Sequence, residues 1–167
     1  MNKYLVLIAL LVTTIAGANA ANKIGVVDIQ YVLTRAPQYV AINEKLKGEF
    51  KERSEELRSL AEKGQSIQEN AQKNEATMSE QERQQISRQL QELQAQITFK
   101  EKTFKEDYNR RSQEERRTLF GLVSQQVEAV AKEGQYDLIL NREALLYVSD
   151  ASNISDKVLA KLNALGN

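Results

Sequence analysis

The stretch ISRQLQELQAQITFKEKTF, residues 86–104, shows how the central part of this chain folds. Apolar residues recur in it at spacings of three and four, from Ile86 to Phe104, and Lys100 occupies one position of the series. This spacing predicts an amphipathic helix with a single narrow apolar stripe. Because so narrow a stripe cannot enclose a core, we expect this helix to pack along a partner helix.

The same composition extends over residues 42–118. Of these 77 residues, 32 are charged, 18 are apolar and none is proline. Glu, Lys, Arg, Gln, Leu and Ala are strong helix formers. A segment with so few apolar residues cannot build a globular core of its own. The composition therefore predicts a solvated helical arm that projects from the rest of the protein.

Two apolar stripes separated by a polar stretch indicate that the arm is a hairpin. The first stripe runs from Leu46 to Ala71, and the second follows Ser79. The spacing of Ser79 and Glu82 is the signature of a capping box at a helix N-terminus. We therefore expect two antiparallel helices joined near residues 72–79, projecting by about 50–60 Å at 1.5 Å per residue.

The second stripe loses its apolar character near Tyr108 and resumes at Leu119. Such a shift of phase is typical of a stutter in a coiled coil.

Short strand-like patterns flank the arm. Residues 23–29 predict a buried strand, and residues 30–36 predict a short helix that stops before Pro37. Proline suits the first turn of the following helix, where its missing N–H has no partner to lose.

On the other side of the arm, Gly134 suits a helix C-cap. Residues 136–140 and 145–148 then predict two strands of a β-hairpin. Ser155 is expected to cap a last helix that continues through Leu165.

These patterns predict an α+β protein with a long antiparallel helical hairpin, residues 42–118, on a small β-containing body. The body comprises residues 21–41 and 119–167 and has about 60 structured residues, which is marginal for independent folding. Association of several copies would relieve that shortage and pair the exposed sheet edges. We expect apolar strand residues to hold the copies together: Ile24, Val26, Leu138 and Leu140.

Residues 1–20 have the pattern of a secretory signal peptide. Lys3 precedes an apolar run from Tyr4 to Ala16, and Ala18-Asn19-Ala20 is a small-x-small cleavage signal. We expect export and cleavage after Ala20. A retained membrane anchor is the alternative, although the run is short for a spanning helix.

The composition argues against catalysis. The chain has neither Cys nor His, which excludes disulfides, His–Cys metal sites and Ser-His-Asp triads. No phosphate-binding glycine loop is present. We therefore expect no enzyme activity, catalytic residue, metal or cofactor. Without residues 1–20 the chain has 22 basic and 23 acidic residues, and this balance disfavours nucleic acid as a partner.

A basic cluster lies on the second helix of the arm. Lys100 and Arg110 are ten residues apart and share a helix face, and Arg111 follows directly. One interpretation is a site for a phosphate-bearing lipid or another anion. The other is a solvated face that nearby carboxylates neutralise: Asp107, Glu114 and Glu115. Aromatic side chains are candidates for contact with a bound partner: Phe50, Phe99 and Phe104.

Three segments resemble one known family. They are Lys23-Ile-Gly-Val-Val-Asp28, Arg110-Arg-Ser-Gln-Glu-Glu-Arg116 and Tyr136-Asp-Leu-Ile-Leu140. In these segments, and in their arrangement around a helical hairpin, the chain resembles the Skp/OmpH periplasmic chaperones over essentially its whole length.

The resemblance implies a periplasmic homotrimer in which strands of three chains form a central body and three hairpins surround a cavity. Such proteins hold unfolded outer-membrane proteins without ATP. The basic positions of the family's proposed lipopolysaccharide cluster fall on Lys100, Arg110 and Arg111, and a further polar or basic position falls on Leu122. Better-known members have strongly basic arms, whereas residues 42–118 carry 16 basic and 16 acidic residues here.

Two functions therefore remain open. The first is an ATP-independent holdase that keeps unfolded outer-membrane proteins from aggregating. The second is a structural envelope adaptor whose coiled-coil arm binds one fixed protein partner.

Overall fold

The computed structural model describes residues 22–166, so the predicted signal peptide lies outside the described residues. Its regular elements follow in chain order: β1 (Ile24–Val27), α1 (Ile29–Arg35), α2 (Pro37–Lys73), α3 (Glu80–Glu133), β2 (Leu138–Asn141) and α4 (Ser155–Leu165). Two single 3₁₀ turns, Arg142–Ala144 and Asp150–Ser152, lie between β2 and α4. The prediction of an α+β protein with a long helical hairpin is confirmed.

Helices α2 and α3 form the hairpin. Helix α2 begins at Pro37, as predicted from its missing N–H. Helix α3 begins with the predicted capping box, in which the Ser79 hydroxyl accepts a hydrogen bond from the Glu82 N–H at 3.3 Å. In return the Ser79 N–H donates to the Glu82 carboxylate at 2.8 Å. These two bonds satisfy N–H groups that a helix N-terminus otherwise leaves unpaired.

The two helices differ in length. At 1.5 Å per residue, the 37 residues of α2 span about 55 Å and the 54 residues of α3 about 80 Å. The extra turns of α3 continue into the body and carry Leu119, Val123 and Val130, which are buried there. Since α3 runs unbroken through residue 118, the division into arm and body at that residue stays a prediction.

The sheet has two strands, and they are parallel. Ile24 pairs with Leu138 and Val27 with Asn141, on either side of the entire hairpin. Parallel strands need a long crossover connection, and α1, α2 and α3 together supply it. On its other side β1 makes a bridge to Asn153, so β1 is the central strand of the body.

The predicted β-hairpin of residues 136–140 and 145–148 is wrong in its second strand. After β2 the Asn141 side chain accepts a hydrogen bond from the Glu143 N–H at 3.4 Å, and a 3₁₀ turn follows. The chain therefore leaves the sheet without reversing alongside β2. Residues 145–148 do not form a strand, and Leu146 and Tyr147 are exposed.

The core lies where β1, α1, the end of α3 and α4 meet. Val32, Val123, Ile154, Val158 and Leu162 are completely buried in it. Removing such aliphatic side chains from water is the main favourable contribution to folding of so small a body.

The start of α4 differs from the expectation. Its first N–H, that of Ser155, donates to the Asn153 side chain at 3.0 Å, so Asn153 supplies the cap that we expected from Ser155. The Ser155 hydroxyl, which is buried, instead accepts from the Asp28 N–H at 2.8 Å. This bond joins the end of β1 to α4 and uses the hydroxyl that would have capped the helix.

Gly134 ends α3 as predicted, but for a steric reason. Its own φ is −83°, and Gln135 is the residue with a positive φ, of 52°. A Cβ at Gly134 would lie 2.3 Å from Cε2 of the Tyr136 ring. Glycine is needed here because the aromatic ring folds back over the helix end.

We expect Ser79→Ala to destabilise the tip of the arm by about 1 kcal/mol, because the N-terminus of α3 loses its hydroxyl acceptor. Ser87→Ala is the matched control, since Ser87 lies exposed inside α3, where alanine favours the helix. Hydrogen exchange of the amides near residue 80 measures the effect. Equal exchange rates in the two variants would show that the capping box contributes nothing.

Candidate functional site

The two arm helices contact each other along one seam, which we define as the inward-facing residues of α2 and α3. In α2 the seam follows the predicted stripe from Leu46 to Ala71 and includes Arg53 and Gly64. Leu46 and Phe50 are almost fully buried in it. The stripe of α2 is therefore confirmed, including its two positions that are not apolar side chains.

In α3 the seam contains charged residues where the apolar stripe is interrupted. It runs from Ile86 to Phe104 as predicted and then continues through Asp107, Arg111 and Glu115. Tyr108, to which the apolar pattern drifts, is 38% exposed. The interruption thus marks a change from apolar to charged seam residues.

Cross-helix ion pairs close the seam near the body. The Arg111 guanidinium contacts the Glu49 carboxylate at 2.9 Å and the Glu115 carboxylate at 2.7 Å. Lys45 reaches the same oxygen of Glu115 at 2.7 Å. Glu114, on the same helix as Arg111, completes the cluster at 2.6 Å. One guanidinium therefore holds three carboxylates and ties the two helices together.

This arrangement shifts the pKa values of Glu115 and Arg111. Lys45 and then Arg111 hold the pKa of the Glu115 carboxyl below its ordinary value of 4.5, and desolvation opposes them only in part. The carboxylates of Glu49, Glu114 and Glu115 raise the pKa of Arg111. Each charge in the cluster is stabilised by a partner of opposite sign.

An aromatic cluster follows one turn farther from the body. The Phe50 ring meets the rings of Phe104 and Tyr108 edge-on, at centroid distances of 5.4 and 5.2 Å. The Arg53 guanidinium lies over Phe50 and Phe104 and bonds to Asp107 at 2.9 Å. Edge-to-face rings and a cation above them add to the burial of apolar surface.

Beyond the aromatic cluster the seam becomes a thin apolar contact. Lys100 pairs with Glu56 across it at 2.7 Å. Farther out, Leu93 is buried against Gly64. A side chain with a Cβ at position 64 would lie only 3.2 Å from the Leu93 Cδ2. Farther from the body than Lys100, aliphatic side chains thus close the seam.

The sheet of the body leaves apolar surface uncovered. Ile24 and Leu138, which pair across β1 and β2, are 44% and 49% exposed. Leu146 and Tyr147, in the segment after β2, are also exposed. Exposed apolar side chains on a sheet with an unpaired edge are typical of an interaction site.

Comparison with known proteins identifies the family. Residues 23–162 match the family model described as outer membrane protein (OmpH-like). This chain belongs to that OmpH-like family. The predicted resemblance to the Skp/OmpH family is confirmed.

Curated relatives of this OmpH-like chain carry the name chaperone protein Skp. The Pectobacterium atrosepticum protein is 29% identical over 155 residues, covering 93% of this chain and 94% of the relative. The Photorhabdus luminescens protein is 29% identical over 147 residues, covering 88% and 89%. The Yersinia enterocolitica protein is 26% identical over 163 residues, covering 97% and 99%. Relatives named as chaperones agree with the prediction that this chain is not an enzyme.

A solved structure shares the fold of this OmpH-like chain. It is that of an OmpH-like protein from Caulobacter crescentus CB15, with a TM-score of 0.73 and 16% sequence identity. The match covers 86% of this chain and 85% of the other. Within residues 22–166 no helix is both long and apolar enough to cross a membrane, and no three His, Cys, Asp or Glu residues are grouped as metal ligands.

The structure places the predicted anion-binding residues in ion pairs. Lys100 contacts Glu56, Arg110 contacts Asp107 at 2.7 Å, and Arg111 is held by three carboxylates. An incoming phosphate would have to displace these partners. The anion site of this OmpH-like chain stays a prediction, and Arg110, which is 65% exposed at its side chain, is its most accessible member.

Of the predicted client-contacting residues, the structure exposes only Phe99. Its ring is 67% exposed, whereas Phe50 is 5% exposed and Phe104 is partly buried beside it. Phe50 is part of the seam and contacts Phe104 and Tyr108, and its contact with a client stays a prediction. Phe99 lies off the stripe, which is why it remains outside the seam.

The predicted oligomerisation residues also include both exposed and buried side chains. Ile24 and Leu138 are exposed in the single chain, and Leu140 is half-buried. Val26 is 4% exposed and lies in the central strand, so it is already buried within its own chain. Its burial follows from the bridge between β1 and Asn153, and a role of Val26 in oligomerisation stays a prediction.

Further cations lie on the outer face of α3, and the basic cluster seen in the sequence already includes three of them, Lys105, Arg116 and Arg117. Each of them is exposed and makes no ion pair within the part of the chain that the structure describes: Lys102, Lys105, Arg116 and Arg117. The exposed ring of Phe120 lies on the same face. A helical projection of residues 99–120 would have separated this face from the seam.

We expect the stabilising effect of Glu115 to depend on pH. Its pKa is lowered in the folded chain, so its charge stabilises the arm above the ordinary value of 4.5 and this effect is lost as pH falls through the lower, folded value. Glu115→Gln should therefore lower the thermal unfolding midpoint at pH 7, and the difference from the unmodified chain should shrink as pH falls below 4.5.

Glu62→Gln is the control for this experiment. Glu62 pairs with Arg58 at 2.8 Å on an exposed face, where ion pairs contribute little at any pH. Circular dichroism melts at several pH values supply the comparison. A Glu115→Gln effect that stays constant down to pH 3 would contradict an electrostatic origin.

Proposed function

We propose that this chain is an ATP-independent periplasmic holdase that keeps unfolded outer-membrane proteins from aggregating. The observation that carries the proposal is the combination of a small body, whose apolar sheet surface is uncovered in one chain, with a long solvated hairpin. Relatives named chaperone protein Skp, aligned over 88% or more of this chain, support it. Export to the periplasm, with cleavage after Ala20, is part of this proposal.

Association of three copies is the second part of the proposal. Ile24 and Leu138 form an exposed apolar pair, and the edge of β2 away from β1 has no partner strand among residues 22–166. Unpaired strand edges and apolar surface are what a partner subunit covers. Leu146 and Tyr147 are two further exposed apolar side chains of the body. The number three comes from the family resemblance.

The arms supply the holding activity. Their own apolar residues are largely used in the seam, so the outer surface offers scattered apolar contacts such as Phe99 among polar side chains. Many weak contacts hold a client without fixing one conformation, and three arms around one cavity separate client segments from each other. Because no contact is strong by itself, release needs no nucleotide.

Anionic lipid or lipopolysaccharide is a further proposed ligand of the arm. The residues remain Lys100, Arg110 and Arg111, with the pairing described above as the competing interaction. The exposed cations of the outer α3 face, Lys102 and Lys105 among them, would support an anion that bridges to Arg110.

The holdase proposal is tested with a variant in which residues 50–108 are replaced by a short linker. The ion pairs of Glu49, Arg111, Glu115 and Lys45 lie outside the deletion and should close the shortened hairpin. We expect a folded, oligomeric body that no longer suppresses light scattering when an unfolded outer-membrane protein is diluted from denaturant. The unmodified chain should suppress it.

Two results would count against the proposal. Retained suppression by the shortened chain would place the client site on the body. No suppression by the unmodified chain, together with saturable binding of a single folded envelope protein, would favour the structural adaptor.

We expect Leu138→Asp to dissociate the oligomer, because a buried carboxylate in an apolar subunit interface has no partner and is costly. Gln81→Asp is the control, since it places the same charge in the first turn of α3, far from the sheet and favourable to the helix. Sedimentation velocity measures the mass. A folded monomer of the unmodified chain would refute the oligomer.

A further inference from the structure

The distal half of the arm has an open groove of about 1230 Å³ between α2 and α3. Leu93, which is 7% exposed, lies at its floor. Gly64 faces Leu93 from α2, and a Cβ at that position would already lie 3.2 Å from the leucine Cδ2. Glycine at position 64 lets the Leu93 side chain pack closely against α2 at the floor of the groove.

The lining of this distal groove combines amides with apolar groups. Four glutamines line it, together with aliphatic residues and the exposed ring of Phe99: Gln65, Gln68, Gln91, Gln94, Ala61, Leu90 and Ile97. Its charged residues, Glu101 and Lys102, have opposite signs. The residues that line the groove therefore carry no net charge. The seam near the body, by contrast, contains several ion pairs.

The amides of the groove have free hydrogen-bonding capacity. Within residues 22–166, Gln68 and Gln91 make no side-chain hydrogen bond. Gln65 donates to Glu69 at 2.9 Å, and Gln94 reaches Thr98 at the long distance of 3.4 Å. Each primary amide offers two N–H donors and one carbonyl acceptor, the same groups that an extended peptide backbone presents.

We propose that the distal groove binds an uncharged, extended client segment in which apolar and small polar side chains alternate. This inference rests on the proposed holdase function and names the part of the client that the arm recognises. An unpaired strand has backbone N–H and C=O groups that require partners, and the glutamine amides supply them. Its apolar side chains, which all point to one face, contact the aliphatic floor.

The size and charge of the groove agree with this occupant. From residue 90 to residue 101 the helix advances about 16 Å, which matches about five residues of extended chain at 3.3 Å each. An anionic lipid headgroup would need an excess of cations, which this lining lacks. Membrane-spanning β-strands alternate apolar and polar residues, so they are the segments that best fit a groove with one apolar side.

The test places charges in the groove without changing its shape. The variant Gln68→Glu with Gln94→Glu is nearly isosteric and keeps residues that favour helices. The control, Gln81→Glu with Gln96→Glu, adds the same charge at exposed positions outside the groove lining. Circular dichroism checks that both full-length oligomers are folded.

The probe is a fluorescein-labelled ten-residue peptide of alternating Val and Thr, titrated with each oligomer and followed by anisotropy. We expect the groove variant to bind at least about fivefold more weakly than the unmodified chain, because apolar contact would desolvate the new carboxylates. The control should bind like the unmodified chain. A photoreactive benzoylphenylalanine in place of Gln65 should crosslink the peptide, whereas the same group in place of Gln96 should not.

Equal binding by the groove variant and the unmodified chain, or equal crosslinking from both positions, would overturn the inference. So would tighter binding of a peptide in which Glu replaces Thr, since the outer cations of α3 would then dominate. The holdase function is judged separately, by whether the unmodified chain suppresses aggregation of an unfolded outer-membrane protein. If it does and the groove variant does so equally, the function stands and the groove is not its client site.

Discussion

The contact between α2 and α3 is the constraint on which the rest of this protein depends, because neither helix has enough apolar surface to fold alone. The chain closes this contact in three different ways along its length. Near the body Arg111 holds Glu49 and Glu115, farther out three aromatic rings pack together, and toward the tip aliphatic side chains meet. The side chains that remain exposed beside the seam therefore differ along the arm.

Because charges pair across the seam, the net charge of the arm does not describe the charge of its exposed surface. The arm has equal numbers of acidic and basic residues, but many carboxylates lie in or beside the seam, where cations hold them. Cations of the outer α3 face, such as Lys105 and Arg116, make no ion pair within residues 22–166. An arm of zero net charge can therefore have both a basic face and a groove without net charge.

Local patterns predicted the hairpin well because helix periodicity and capping are encoded by residues close in sequence. The stripe from Leu46 to Ala71 and the capping box at Ser79 needed only spacing rules. Charged seam positions such as Arg111 could not be recognised, since a charged residue in a helix normally indicates solvent. The parallel pairing of β1 and β2 was also missed, because it joins strands separated by the whole arm and no local signal distinguishes it from a hairpin.

The parallel sheet also has a consequence for the order in which the chain acquires its structure. The 110 residues numbered 28–137 lie between β1 and β2, and closing so long a flexible loop costs about 4 kcal/mol of chain entropy. When the hairpin forms first, the start of α2 is held beside α3, and the residues between the strands that lie outside the hairpin number only about 15, which saves about 2 kcal/mol. An arm that forms first would act as a template for its own body, and the sheet can close only when nearly the entire chain is present, because β2 ends at Asn141.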